Sequence, residues 1–235
     1  MKDIKVPLLP RMSSDEFKEI AEKFLKQNNF FRNIVPVNVE ILAFNTEHPV
    51  ETFQELRNEF DCKGTAWFNK EKDRFEIYID SYHYQYQIKS SQFTIAEELA
   101  HIIIHADIFK QIESPEDRLS LDKNTSESTH QVIEKQAKQL ASELLLPTAI
   151  FYPYATDWIK INLKNILAER PANERDLLNY INKRIGDKLD LSEFIINRAL
   201  TRRFDEPLIP KLVQELGIKY LEDAPRIPMK SKYNS

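Results

Sequence analysis

The stretch "FTIAEELAHIIIHAD", residues 93–107, decides how this chain folds. In a helix predicted over 93–109, four ionisable side chains fall within one arc of roughly 100°, because a helix turns about 100° per residue. These side chains are Glu97, Glu98, His101 and His105. The remaining faces are apolar, which is typical of a buried helix. Buried carboxyl groups are costly unless they are paired or bind a metal ion, so a divalent cation is the simplest shared partner for this cluster.

The spacing of the cluster is close to the pattern His-Glu-x-x-His, in which two histidines one turn apart bind zinc and the glutamate is a general base. Glu98 and His101 occupy two of these positions, and Glu97 stands where the first histidine belongs. Glutamate also binds zinc, so a substituted site is one interpretation. The plainer interpretation is a Glu–His ion pair at helical spacing, without a metal.

A zinc ion bound by one helix needs a further protein ligand, and the next helix supplies candidates. In a helix predicted over 128–147, Glu134 shares a face with small and apolar residues and is expected to point inward. Glu143 lies about 180° away from it and is expected to face solvent. Glu134 is therefore the favoured third ligand, and His130, one turn earlier, is the alternative.

A second possible ligand set is shifted by one helical turn along the first helix. His101 and His105 are four residues apart, and with Glu134 they form a set of two histidines and one glutamate. An apolar residue follows His101 directly, so the general base would have to come from the preceding turn of the helix. The residues thus leave three interpretations open: the substituted set, the shifted set and a metal-free cluster.

Length and composition indicate an ordinary folded protein. The 235 residues suit one sizeable domain, or one domain with a helical appendage, and 42% hydrophobic residues supply ample material for a core. A net charge of −4 does not favour a nucleic-acid or membrane partner. Three glycines are too few for a Gly-rich phosphate loop. One cysteine, no signal peptide and no apolar run of about 20 residues together predict a cytoplasmic protein.

Periodicity along the chain predicts an α+β fold, with a small sheet and several packed helices. The predicted elements are a helix (13–27), a strand (35–44), a short helix (51–60), a hairpin (65–69 and 74–80), the helix 93–109, a polar loop (111–129), the helix 128–147 and further helices over 157–204. Residues 225–235 are expected to form a loose tail.

Two blocks of the sequence together resemble the ImmA/IrrE metallopeptidases. "FTIAEELAHIIIH" is similar to that family's F-T-hydrophobic-A-H-E-L-G-H-x-x-x-H, and "EKQAKQLASELLLP" is similar to its helix E-x-x-A-(N/D)-x-F-A-x-x-L-L-M-P. The resemblance covers about residues 13–204. It implies a zincin-like domain over 1–150, with the helical segment 151–235 packed on it and a flexible tail from about 225.

The resemblance also implies residue roles. His101 matches the second ligand of the family helix, Glu98 the catalytic base and Glu134 the third ligand, while Glu97 occupies the first ligand position. Lys138 replaces the usual Asn or Asp and Ala100 the usual Gly, and we expect both of these changes to be mild.

Glu97 is the departure that matters for the chemistry. Two histidines and one glutamate leave a bound Zn²⁺ with a formal charge of +1, whereas a set with Glu97 is neutral. A less positive ion is a weaker Lewis acid and acidifies water less. Oxygen ligands also shift the preference from Zn²⁺ toward Mn²⁺ or another hard divalent ion.

Three functions are consistent with the sequence. The first is a zinc-dependent endopeptidase that cleaves a partner helix-turn-helix transcriptional repressor, as the resemblance implies, often in a mobile-element or phage context. The second is a catalytically impaired pseudopeptidase that binds and regulates its partner. The third is a DNA-binding regulator, suggested by a basic cluster near the C-terminus. That cluster comprises Asn197, Arg198, Arg202 and Arg203, and the net acidity of the chain argues against this role.

Overall fold

The computed structural model describes residues 4–32, 34–201, 208–218 and 220. Over these residues the chain is a mixed α+β protein with a small sheet and several packed helices, as predicted. The elements are α1 (Ser14–Gln27), α2 (Val39–Asn45), β1 (Val50–Phe53), α3 (Leu56–Phe60), β2 (Gly64–Asn69), β3 (Arg74–Asp80), α4 (Ser81–Tyr86), α5 (Ile88–Ile104), α6 (Ala106–Phe109), α7 (Pro115–Asn124), α8 (Glu127–Leu145), α9 (Thr148–Ala168), α10 (Glu174–Leu189), α11 (Glu193–Thr201) and α12 (Leu208–Leu216).

The three strands form one mixed sheet in the order β1-β3-β2. Strands β2 and β3 pair antiparallel, with Trp67 opposite Glu76, so the predicted hairpin is confirmed. Strand β1 pairs parallel to β3, with Val50 opposite Ile77. The segment predicted as one short helix over 51–60 is therefore partly wrong, since most of β1 lies in its first half and α3 in its second.

The predicted strand over 35–44 is wrong, because most of this segment is the helix α2. The side chain of Asn38 caps α2 by accepting a hydrogen bond from the backbone N–H of Ile41. Val39 and Leu42 are fully buried, three residues apart on one helical face. The alternation of apolar and polar residues that indicated a strand also fits a short helix with one buried face.

The predicted loop over 111–129 is also wrong, because it contains helix α7. Ser114 caps this helix by accepting from the backbone N–H of Asp117, and Pro115 opens the first turn. "SPED" is thus the start of a helix and not a turn. Helix α7 packs against α3 and β2, which brings it to one side of α5.

Helix α5 lies at the centre of the fold. It packs on one side against β2 and β3 and on another against the long helix α8, which also contacts α1. Its apolar side chains are buried, including Ile95 and Leu99, so the predicted buried helix is confirmed.

Helix α9 (Thr148–Ala168) continues across residue 150, and the predicted division of the chain into two parts at that residue remains a prediction. The predicted tail lies outside the described residues, and none of the described helices is long and apolar enough to cross a membrane.

A buried carboxylate on β3 yields a first testable expectation. Glu76 is 3% exposed and accepts hydrogen bonds from four side chains. The donors are Asn69, Lys72, Arg74 and Tyr78. Burial alone would raise the pKa of Glu76, but these hydrogen bonds outweigh it and lower the pKa to about 2.

We expect Glu76→Gln to lower the free energy of unfolding at pH 7 by about 2 kcal/mol, because charge-assisted hydrogen bonds are lost. The folded pKa lies below the ordinary value of 4.5. The carboxylate therefore stabilises the fold above about pH 4.5, and this contribution disappears as the pH falls toward 2. Urea unfolding as a function of pH measures it, with the exposed Glu51→Gln as control. A difference between wild type and variant that persists unchanged at pH 2.5 would contradict this account.

Candidate metal centre

Helix α5 positions the first part of the site. Its polar residues Glu97, Glu98 and His101 share one arc, as predicted, and Glu97 and His101 on this arc face α8. The helix begins at Ile88 and ends at Ile104, so it does not continue to residue 109 as predicted. His105 is its C-cap, with φ −121° and ψ 25°, and the chain restarts as α6.

Three of the predicted ligands come together between α5 and α8. One donor atom each from Glu97, His101 and Glu134 lies within 4.8 Å of the other two. His101 is 1% exposed, whereas the two carboxylate side chains are 15% and 20% exposed, so the cluster opens to solvent on its carboxylate side. Ligand bonds of about 2.0–2.2 Å would hold the three donor atoms somewhat closer together than this, so a metal ion would require side-chain rotations.

A chain of hydrogen bonds determines which nitrogen of His101 faces the cluster. The amide nitrogen of Gln136 donates to the carbonyl of Pro10 at 2.7 Å, because a carbonyl only accepts. Gln136 Oε1 therefore accepts from His105 Nε2 at 3.0 Å. Burial lowers the pKa of His105, so its ring is neutral and its Nδ1 carries a lone pair.

His105 Nδ1 then accepts from His101 Nδ1 at 3.2 Å, which places the proton of His101 on Nδ1. Burial lowers the pKa of His101 well below its ordinary value, so this ring is neutral as well. The Nε2 lone pair of His101 faces Glu134 Oε1 at 3.7 Å. This free lone pair directed at a carboxylate is suited to binding a metal ion, and the hydrogen bonds from His105 and Gln136 are the kind of outer-shell contacts that orient a histidine ligand.

His105 and His130 are not brought into this set. His105 uses its two ring nitrogens to hold His101 and Gln136, so the shifted register is not the arrangement found in the described residues. His130 is a third exposed and bonds to Asp122 Oδ1 at 3.1 Å. Its distance to Glu134 Oε1 is 3.8 Å, so it lies beside the cluster.

Glu98 lies next to the three donors and deeper in the protein. Its side chain is 6% exposed, and burial raises its pKa to about 8. Its Oε2 has no hydrogen-bond partner. Strand β2 passes close by at Gly64, where a Cβ would lie 2.5 Å from Thr94 Cγ2 and 3.4 Å from Glu98 Cγ. Only glycine permits this approach, which covers one side of the carboxyl group.

Two cations complete the cluster. Arg118 Nη2 lies 3.0 Å from Glu134 Oε1, and Lys138 Nζ lies 3.2 Å from Glu134 Oε2. Lys138 also pairs with Glu97 Oε1 at 3.3 Å. Burial would raise the pKa of Glu134, but the neighbouring cations Arg118 and Lys138 hold that pKa well below its usual range. Burial raises the pKa of Glu97, against the opposing effect of Lys138.

Arg118 is the residue that the sequence reasoning missed. It lies on α7, in the segment expected to be a loop, and its guanidinium group also packs over the ring of Phe109 at 5.4 Å. Two sequence features could have predicted this helix. Ser114 is a suitable N-cap, and Arg118 and Asp122 have the i,i+4 spacing of a helical ion pair, which they form at 3.5 Å. Lys138 was noted as a mild change, but it lies in direct contact with both carboxylates of the cluster.

Glu143 corrects the expectation for the far face of α8. It is 4% exposed and does not face solvent. Its carboxylate accepts from the backbone N–H of Thr148 at 3.0 Å and from the Thr148 hydroxyl at 2.8 Å. Glu143 therefore satisfies a free donor at the start of α9.

The basic cluster near the C-terminus is not a uniform exposed face. Arg198 is 5% exposed and its guanidinium lies over the ring of Phe93 at 6.0 Å. Asn197 bonds to Asn182 at 3.1 Å. Arg202 and Arg203 lie outside the described residues.

The mixed α+β fold, with its small sheet and packed helices, is consistent with a zincin-like, metallopeptidase-type domain. Residues 49–170, just over half of the chain, match the IrrE N-terminal-like domain of peptidase family M78. The chain belongs to this family, and the resemblance seen in the sequence is confirmed at that level. A comparison with curated proteins returns no match.

Proposed function

We propose that this protein is a zinc-dependent endopeptidase whose metal ligands are Glu97, His101 and Glu134. The observation that carries the proposal is the convergence of these three donors within 4.8 Å, next to a buried carboxyl oxygen of Glu98 that has no partner. Two carboxylates and one imidazole suit Zn²⁺, and they also accommodate Mn²⁺. Membership of the M78 peptidase family supports the same class of reaction.

The residues divide the chemistry between them. A divalent ion at this site supplies Lewis-acid polarisation of the scissile carbonyl and makes a nearby water molecule more acidic. The raised pKa of Glu98 would fall beside a bound divalent ion, and the ionised Oε2 would then accept the proton of the attacking water and deliver it to the nitrogen of the leaving amine. His105 and Gln136 keep the lone pair of His101 Nε2 directed at the ion. Strand β2 and helix α7 keep bulk water away from the Glu98 carboxyl group.

The proposed substrate is a partner helix-turn-helix repressor, cleaved at a defined site in the cytoplasm. This part rests on the family resemblance. The test is to mix the purified chain with a repressor encoded next to it, with Zn²⁺ or Mn²⁺, and to follow cleavage by mass spectrometry. Cleavage that requires the metal supports the proposal. A chain that binds neither ion and leaves the partner intact would contradict it.

Glu97→His tests whether Glu97 is a ligand. A nitrogen ligand shifts preference toward zinc, so we expect the ratio of Zn²⁺ to Mn²⁺ affinity to rise roughly tenfold, or about 1.4 kcal/mol. Competition titration with a chromophoric chelator measures both affinities, and His101→Ala serves as the variant that should lose binding. An unchanged ratio would place Glu97 outside the coordination sphere.

A second candidate function is a pseudopeptidase that binds its partner without cleaving it. The observation in its favour is that Lys138 Nζ lies within 3.3 Å of both carboxylates, so the site has an internal cation. Cleavage of several equivalents of partner by the wild-type chain separates the two functions, because a binding protein does not turn over. The DNA-binding alternative has less support, since Arg198 is buried.

A further inference from the structure

Lys138 lies at the point where the metal ligands converge. It is one helical turn after Glu134 on α8, and its Nζ contacts Glu134 Oε2 at 3.2 Å and Glu97 Oε1 at 3.3 Å. The ammonium group thus joins a ligand from α5 to a ligand from α8. Its positive charge attracts both carboxylates, as a metal ion between these helices would.

Both carboxyl groups of the cluster have a cation beside them without a metal ion. The carboxylates of Glu97 and Glu134 face the cations of Lys138 and Arg118. Both oxygens of Glu134 are engaged, Oε1 by Arg118 and Oε2 by Lys138. A divalent ion has to compete with these cations for the same oxygens, and like charges at such distances repel strongly.

Arg118 and Lys138 differ in how easily each can move away from the carboxylates of the cluster. The Arg118 side chain is 13% exposed and is held by Glu134, Asp122 and the ring of Phe109. The Lys138 side chain is 40% exposed and has a flexible four-carbon stem. Lys138 is therefore the cation that can withdraw into solvent, and Arg118 stays in place.

We propose that Lys138 is an internal counter-cation that holds Glu97 and Glu134 together in the metal-free protein and has to withdraw when a divalent ion binds. The pairing of Glu97 with Lys138 makes the metal site a weak, displaceable one. This inference rests on the proposed function only for the identity of the metal ligands. It makes Lys138 a residue that determines metal affinity, not a catalytic residue.

The test compares zinc binding by the full chain and by Lys138→Met, with Zn²⁺ alone as the probe and calorimetry or chelator competition as the readout. We expect Lys138→Met to bind Zn²⁺ roughly 30-fold more tightly, since a unit positive charge next to a divalent ion is removed. The metal-free variant should melt at a lower temperature than wild type, and zinc should raise its melting temperature more than it raises that of wild type. Lys135→Met, exposed on the same helix, is the matched control and should behave as wild type.

The outcomes separate this inference from the proposed function. Equal and tight zinc binding by wild type and Lys138→Met overturns the role of Lys138 and leaves the metal site intact. Zinc binding by neither protein overturns both. If Lys138→Met does not fold, Lys138→Gln keeps hydrogen bonds to the carboxylates without the charge, and the same increase in affinity is required of it.

Discussion

Glu98→Gln is expected to lower the rate of partner cleavage by at least about 100-fold, because the amide cannot accept the proton of the attacking water. Glu98 is buried, its Oε2 has no hydrogen-bond partner in the described part of the chain, and burial raises its pKa to about 8, so the metal-free fold does not depend on the charged form. The variant should therefore bind zinc and unfold like wild type. Initial rates, zinc titration and thermal unfolding are measured on the same preparation.

The matched control for this experiment is Glu19→Gln, an exposed substitution on α1 that should leave the cleavage rate unchanged. A variant that retains zinc and cleaves at the wild-type rate removes Glu98 from the reaction. A variant that loses zinc together with activity would instead make Glu98 part of the metal site. These two results are distinguishable because metal content and rate are read separately.

Arg118→Met is expected to lower the free energy of unfolding by about 3 kcal/mol, because it removes one partner of a buried ion pair. Glu134 loses the 3.0 Å contact at Oε1, and Asp122 and the ring of Phe109 lose their cation as well. Methionine retains much of the apolar stem, so lost packing contributes little. Urea unfolding of the metal-free protein measures the change.

Two further variants test whether the loss of stability comes from the Arg118–Glu134 ion pair. Arg175→Met, at an exposed position of α10, should change stability by less than about 0.5 kcal/mol. The double variant Arg118→Met with Glu134→Gln should be less destabilised than the sum of the two single variants, since the unpaired carboxylate is no longer present. Strict additivity would show that Arg118 and Glu134 do not depend on each other.

The sequence by itself determined the elements whose signals are local. The helix predicted over 13–27 is α1, which the structure begins with a capping box at Ser13, and the hairpin of β2 and β3 followed from two apolar runs around a charged turn. The apolar faces of residues 93–104 predicted a buried helix, and the stripe around Glu134 predicted its inward direction. These features depend on residues within a few positions of each other, which a helix or hairpin brings together without help from the rest of the chain.

Only the tertiary structure decided which groups share the site and what neutralises them. The contact of Arg118 with Glu134 requires α7 to lie beside α8, and Glu143 pairs with Thr148 at the start of the next helix, α9. Most of the segment 35–44 is a helix and not a strand, because Val39 and Leu42 lie on one helical face that is buried in the core. The sequence predicted that Lys138 is a mild substitution, whereas the packing of α5 against α8 places Glu97 in contact with it. In each case the free energy comes from pairing or burying groups on different secondary-structure elements, and periodicity along one segment carries no information about such partners.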